Sequence, residues 1–496
     1  MKRTWLAAVL AVCLLAAAVP VRGQAETSPE EKIQEACKYG ITVDLSEFRL
    51  SEEELKTCFT RMLEEGKLPW YVAHTYNYTY QESGGEKRIM EFSPDLLDDS
   101  YDRMAYEEKV AEILAEVPLE GMEDWQIALA IHDELALRSA YDETLQKSTG
   151  YDLLVNGTTI CAGYAELYQA LLLKMGIPCL QVESVAMNHA WNLVQIDGQW
   201  YHVDVTWDDP VSDVQGRVLH DHFLRTDEEM KNAEKPYYDW NAPVSCTDTR
   251  FSKGFWLDVI GPILFTDSNT CFYLKESKSR NSLYRRDVSK NKETRIYQEP
   301  DSYLDLGQGK YRYSHTGLSL REGRLWLCSM DQVISMKPDG KNQKTEFSYN
   351  AEKQKKYLGG CFVKGDSLYL TLVDHQGSGV VQVENLPESD AHQHAYTRTV
   401  VQATCSVEGY TESVCQCGLR AVGAPVKTGD HRWQKQEDSD LLRCADCGET
   451  KVEEKAWPEK VLPWAAVGGG VLVLLILIGA LSKRKKKAKR RSYEEM

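Results

Sequence analysis

The sequence predicts an α+β chain assembled from several domains, and three observations carry that expectation. Between Thr158 and Pro210 a helical pattern opens on a cysteine and runs into alternating strands, the mixture that a helix-on-sheet core requires. From about 249 to 388 short aromatic strands recur with polar turns between them, at spacings of 43–54 residues that suit propeller-like blades. Apolar segments near both ends frame about 440 residues, which at ~100–200 residues per domain means about three domains.

In chain order, residues 1–25 have a basic start, an apolar run and small residues at the end, the three-part pattern of a secretory signal peptide. Residues 26–118 read as a small α/β module. Ser28 and Ser51 are placed as helix caps before apolar-periodic stretches, while WYVAHTYNYTY (70–80) and KRIMEFSPD (87–95) alternate as paired strands do. Cys37 and Cys58 either pair, as an exported chain permits, or stay as buried thiols.

The stretch TTICAGYAELYQALLLKMGIP reads as a short β-run entering a helix, with Cys161 at the helix start and Gly176 at its end. A thiol there faces open backbone N–H groups and the positive end of the helix dipole, which favour thiolate. HAWNLVQI (189–196), Asp197-Gly198 and QWYHVDVTW (199–207) then form a hairpin signal. A two-residue turn pairs Ile196 with Gln199, and counting back sets Asp204 opposite Trp191 and diagonal to His189. Diagonal neighbours lie about 7–8 Å apart, within reach for a carboxylate to hold an imidazole. Cys161 is thus the candidate nucleophile, His189 its base and Asp204 the group that orients the base. The Cys161 N–H is one donor for an oxyanion, with Tyr151 and Tyr141 as candidates for the second, and Trp191 completes the expected substrate-binding set.

These residues also resemble a known family. Cys161-Ala-Gly-Tyr-Ala, Gly176-Ile-Pro, His189-Ala-Trp-Asn, Gly198-Gln-Trp-Tyr and Val203-Asp-Val-Thr-Trp-Asp-Asp-Pro are similar to the bacterial branch of the transglutaminase-like superfamily, over about Met122 to Trp240. The resemblance implies a papain-like fold for residues 119–248 and a Cys161-His189-Asp204 triad. It also implies an acyl-enzyme on Cys161, resolved by an amine in cross-linking or by water in a peptidase or amidase. The implied substrate is a protein or peptide, cell-wall peptide among them, and the triad chemistry requires no cofactor. A reading from another class is a catalytically inactive surface binding or adhesion module on the same fold.

Beyond this, TCFYLKE (270–276), RLWLCSM (324–330) and SLYLTLV (367–373) are each followed by a second strand, which makes 249–388 a β-repeat, propeller-like domain of about three units. Residues 389–456 are a Cys/His-rich stalk with Cys405, Cys415, Cys417, His431, Cys444 and Cys447. Their spacing allows a zinc site in which Cys415 and Cys417 join Cys444 and Cys447, and an exported location allows disulfides instead. The segment resembles His/Cys repeats near the anchors of Gram-positive surface proteins.

Residues 462–482 are expected to be a transmembrane helix, because the uncharged run 464–482 reaches about 28 Å as a helix. The basic tail 483–496 would then stay inside, which makes this a single-pass plasma-membrane protein with its N-terminal part extracellular. The net charge of −17 argues against nucleic acid as a partner.

Overall fold

The computed structural model describes residues 27–97, 101–117, 120–278, 280–388, 394–436 and 441–452. The expected signal peptide, membrane span and basic tail lie outside the described residues. Among the described residues no helix is long and apolar enough to cross a membrane, which corrects the expected transmembrane, cell-surface location. The longest helix among the described residues has 15 residues, about 22 Å against the ~30 Å of a bilayer core. The chain divides into two units, one comprising residues up to 401 with 409–426, the other 402–408 with the residues from 427 onward.

The first unit opens with α1 (Pro29–Tyr39), which starts at a Ser28–Glu31 capping box and ends at a left-handed Gly40. After β1 (Val43–Asp44), α2 (Glu52–Glu64) repeats the device with Ser51 and Glu54. Both helices bury Ile33, Leu55 and Phe59 against an antiparallel sheet of β1, β2 (Val72–Ser83) and β3 (Glu86–Leu96), in the order β1-β3-β2. Cys37 and Cys58 sit in this core as free thiols.

Three helices follow: α3 (Arg103–Glu116), α4 (Asp124–Arg138) and α5 (Cys161–Lys174). Between α4 and α5, β4 (Ala140–Tyr141) runs parallel to β5 (Thr158–Thr159), so Tyr141 lies beside Thr159, two residues before Cys161. A four-stranded antiparallel sheet comes next, with β6 (Cys179–Ser184), β7 (His189–Ile196), β8 (Gln199–Val203) and β9 (Phe223–Arg225) in sequence order. Asp197 and Gly198 both have positive φ, 49° and 79°, which matches the twist of a two-residue hairpin turn and pairs Ile196 with Gln199.

Gly163 shows why α5 opens as it does. A Cβ there would meet Thr159 Oγ1 at 2.1 Å and the Thr149 carbonyl oxygen at 2.5 Å, so only glycine lets the first turn press against the preceding loop. The sheet is tied to the helix by Asn192, whose buried amide donates to the Ala165 carbonyl at 2.9 Å.

The core joins Ile131 and Leu135 of α4, Leu167, Tyr168 and Leu171 of α5, and Val194 and Ile196 of β7. Trp256, Ile263, Phe265 and Tyr273 belong to that same core, so the packing of 119–248 continues into the next stretch. Residues 249–388 fold as consecutive antiparallel meanders, with four strands over 260–298, four over 318–348 and three over 356–385. Part of the expected stalk forms a three-stranded sheet over 396–426. It meets α3 through Arg398, which donates to Glu108 at 2.8 and 3.0 Å. The second unit has a small sheet of Trp433–Lys435, Leu441–Cys444 and Thr450–Val452.

Candidate active site

Cys161 is the first residue of α5. Ile160 before it is extended and provides no side-chain cap, so the open end of the helix is turned to the thiol rather than to a capping oxygen. His189 is the first residue of β7, next to the turn that leaves β6. Asp204 follows β8 and caps the one-turn helix α6 (Val205–Asp208), accepting the Trp207 N–H through Oδ1 at 3.1 Å. That use of Oδ1 leaves Oδ2 for the imidazole.

His189 Nε2 lies 2.5 Å from Asp204 Oδ2, and the Tyr237 hydroxyl donates to the same oxygen at 2.5 Å. Cys161 stands close enough to His189 to favour its charged form, and with Nε2 engaged by Asp204, Nδ1 is the ring nitrogen left for the thiol. Burial works against the imidazolium, but the Asp204 charge and hydrogen bond, followed by Cys161, outweigh it and push the His189 pKa up to about 10. Burial likewise opposes the Asp204 carboxylate, and the His189 charge outweighs it, holding that carboxyl below its usual range.

Two indoles fix the ring, Trp191 at 5.7 Å and 19° and Trp207 at 5.1 Å and 30°. Trp191 is itself held, since its Nε1–H donates to His202 Nδ1 at 2.9 Å while His202 Nε2 meets Asp227 Oδ1 at 2.8 Å. Buried and braced this way, Trp191 supports His189 rather than offering a surface to substrate. Tyr141 lines a groove of about 810 Å³ together with His189, Trp207, Asp209 and His222. Burial first, and the neighbouring Cys161 second, raise its phenol above the ordinary value. Tyr151 is engaged elsewhere: its ring stacks on Trp70 at 5.7 Å and its hydroxyl accepts the Asp102 N–H at 3.2 Å.

A buried polar chain runs beneath the site. His132 on α4 sets Nδ1 2.9 Å from Asp133 and Nε2 3.1 Å from Asp208. A ring with a carboxylate at each nitrogen needs both protons, and His132 is an imidazolium, with its pKa raised to about 9 because the two carboxylates outweigh burial. Asp208 also accepts from His222 Nδ1 at 2.9 Å, and Asp133 from His220 Nε2 at 2.9 Å and the Ile263 N–H at 2.7 Å. Asp209 behaves differently. Burial pushes its carboxyl up to about 8, and the Tyr164 hydroxyl donates to it at 2.6 Å.

Sequence reasoning missed Tyr237, His132 and His222 as parts of this assembly. Trp207, Asp208 and Asp209 fall inside the Val203–Pro210 motif, which was the available signal, whereas Tyr237 stands 33 residues beyond Asp204 with no local pattern to mark it. In two groups that have metal-ligand types, His132-Asp133-His220 and His202-Asp227-Cys246, the imidazoles are hydrogen-bonded to the group's own carboxylate.

Residues 113–205 match the family model of the transglutaminase-like superfamily, and all three of Cys161, His189 and Asp204 fall within that match. The human kyphoscoliosis peptidase is 28% identical over 117 residues, which cover 20% of this chain and 18% of that one. Its mouse counterpart is 26% identical over 131 residues, covering 22% and 20%. The chain thus spans about a fifth of the length of the curated relatives it matches. A solved structure described as a TGase shares 14% identity, covering 28% of this chain and 45% of that chain, at a TM-score of 0.20.

Proposed function

We propose that the transglutaminase-like domain is a cysteine acyltransferase or cysteine peptidase acting on amide bonds of a protein or peptide. The observation that carries this reading is the buried His189–Asp204 contact at 2.5 Å, with Cys161 at the helix start near enough to act on the same imidazole. Cys161 is the nucleophile, His189 the acid and base, and Asp204 the group that holds the ring and its charge.

With the proton already held on His189, Sγ attacks the amide carbon as a thiolate. The C–N bond then breaks as the imidazolium gives its proton to the leaving amine, which leaves an acyl thioester. An amine or a water molecule next attacks the thioester, His189 takes the attacker's proton, and the thiolate is released. The developing oxyanion is held by the Cys161 N–H, with the Tyr141 hydroxyl as second donor from the adjoining strand. None of these steps calls on a cofactor.

The groove shared by His189, Trp207 and His222 supports an extended peptide as substrate. The test is paired: incorporation of a labelled primary amine into glutamine peptides, and hydrolysis of the same peptides, by wild type and Cys161→Ala. Cys161→Ala should lose both, and iodoacetamide should label Cys161 ahead of the buried core thiols. Equal activity in the two proteins, or no Cys161 labelling near neutral pH, would reject the reading in favour of a binding module.

A further inference from the structure

The Cys/His cluster of the second unit plays no part in that chemistry. We infer that Cys405, His431, Cys444 and Cys447 form a closed structural zinc site. One nitrogen or sulfur from each lies within 4.8 Å of all the others. Cys405 Sγ is 3.5 Å from Cys444 Sγ, and Cys447 Sγ is 3.5 Å from His431 Nδ1. Disulfide sulfurs sit about 2.05 Å apart, and all of these cysteines are free. Zinc–sulfur bonds of about 2.3 Å and zinc–nitrogen bonds of about 2.0–2.1 Å, at tetrahedral angles, separate the ligand atoms by about 3.5–3.8 Å. The observed spacings are those of four donors around one ion.

The backbone is folded for the purpose. The Asp446 N–H donates to Cys444 Sγ at 3.4 Å, a bond that stabilises a thiolate. The Gly448 N–H returns to the Cys444 carbonyl at 3.0 Å, and Gly448 turns the chain at φ 76°. This tight Cys-x-x-Cys-Gly turn points two sulfurs at one place. On the far side of the His431 ring, Nε2 faces the Glu449 carboxylate at 3.5 Å, the partner that a metal-bound imidazole uses to fix its tautomer and orientation.

The donor chemistry selects the ion. Three thiolates and an imidazole suit zinc and exclude calcium and magnesium, which take oxygen ligands. Four protein donors leave no open position, so the ion is structural. Binding requires that the three thiols give up their protons to solvent. The unit also needs such a centre, because Cys444 is the sole buried residue among its described residues. A sheet this small without an apolar core is held by metal or cross-links. The ligand set differs from the pairing that spacing suggests: Cys405 supplies the fourth donor, while Cys415 and Cys417 stand with His394 in the first unit.

The experiment uses the full chain, purified without added metal. Zinc measured by plasma mass spectrometry should fall by one equivalent per chain in Cys405→Ala and in His431→Ala, and stay at the wild-type value in Ser406→Ala. Because a variant that unfolds also loses metal, the wild type supplies the second measurement. Cys447 is exposed, so as an unliganded thiol it alkylates at once; as a zinc ligand it should resist iodoacetamide, with Cys405 and Cys444, until a chelator is added. Refilling with Co²⁺ should then give thiolate charge transfer and the intense visible bands of a tetrahedral site. Full zinc content in Cys405→Ala, immediate alkylation of Cys447, or a disulfide among these cysteines in a non-reducing peptide map would each overturn the inference.

Discussion

His189 keeps its proton because Asp204 Oδ2 lies against it at 2.5 Å in a buried contact, and two predictions rest on that oxygen. The first is kinetic. With the imidazolium held up to about 10, activity should persist from neutral pH to near that value and fall as His189 loses the proton destined for the leaving amine. Asp204→Asn should move this alkaline limb toward the ordinary histidine value of 6.5 and lower kcat by orders of magnitude, ~10⁴ in the serine-enzyme analogue. A pH–rate profile of the two proteins checks both. An alkaline limb that stays put in Asp204→Asn would show that another group titrates.

The second prediction concerns stability. The His189 pKa is raised on folding, so its contribution is complete below 6.5 and is lost as pH rises through about 10. The Asp204 pKa is lowered, so its contribution is present above 3.8 and is lost as pH falls through the lowered value. The Tm difference between wild type and His189→Gln should therefore be widest between those two ordinary values, about pH 4 to 6.5, and shrink toward pH 10. Thermal melts across that range measure it.

Elements place these residues by devices of differing legibility. Helix α5 begins where spacing indicates, but Gly163 is needed for a reason that spacing does not carry, namely the Thr149 carbonyl 2.5 Å from where a Cβ would sit. Gly163→Ala should cost about 1–3 kcal/mol, since a backbone carbonyl cannot swing aside as a side chain can. Helix α4 reads as an apolar helix, yet its His132 bridges Asp133 and Asp208 with both nitrogens. His132→Ala removes the cation and leaves two buried carboxylates facing each other, so a loss of about 3–5 kcal/mol is expected in urea melts. A loss under 1 kcal/mol would show that water or a proton replaces the ring at little cost.

For the whole first unit, the core runs through residue 248 without interruption. Trp256, Ile263 and Phe265 pack with the α4 and α5 side chains, and the Ile263 N–H donates to Asp133. Spacing and composition indicate a joint near 240–250, and a chain cut there would strip one wall from the core. A protein ending at 248 should melt at lower temperature than one ending at 426 and bind a dye for exposed apolar surface. Identical melting temperatures would mean that the two stretches are energetically separate.

Local chemistry in the sequence determines where Cys161, His189 and Asp204 fall: an uncapped helix start, a strand start, and a position past a two-residue turn. The register follows because a side-chain period of two and an Asp-Gly turn leave one pairing, Ile196 with Gln199. Partners brought from far along the chain have no such period. Tyr237 reaches Asp204, Asp208 reaches His132 across 76 residues, and Cys405 joins Cys444 across 39. Each of those contacts is chosen by loops and by the need of a buried charge or donor to find a partner, and only the folded chain brings the two together. The same holds for Tyr151, whose ring packs on Trp70 because burying an aromatic face outweighs leaving it beside a groove.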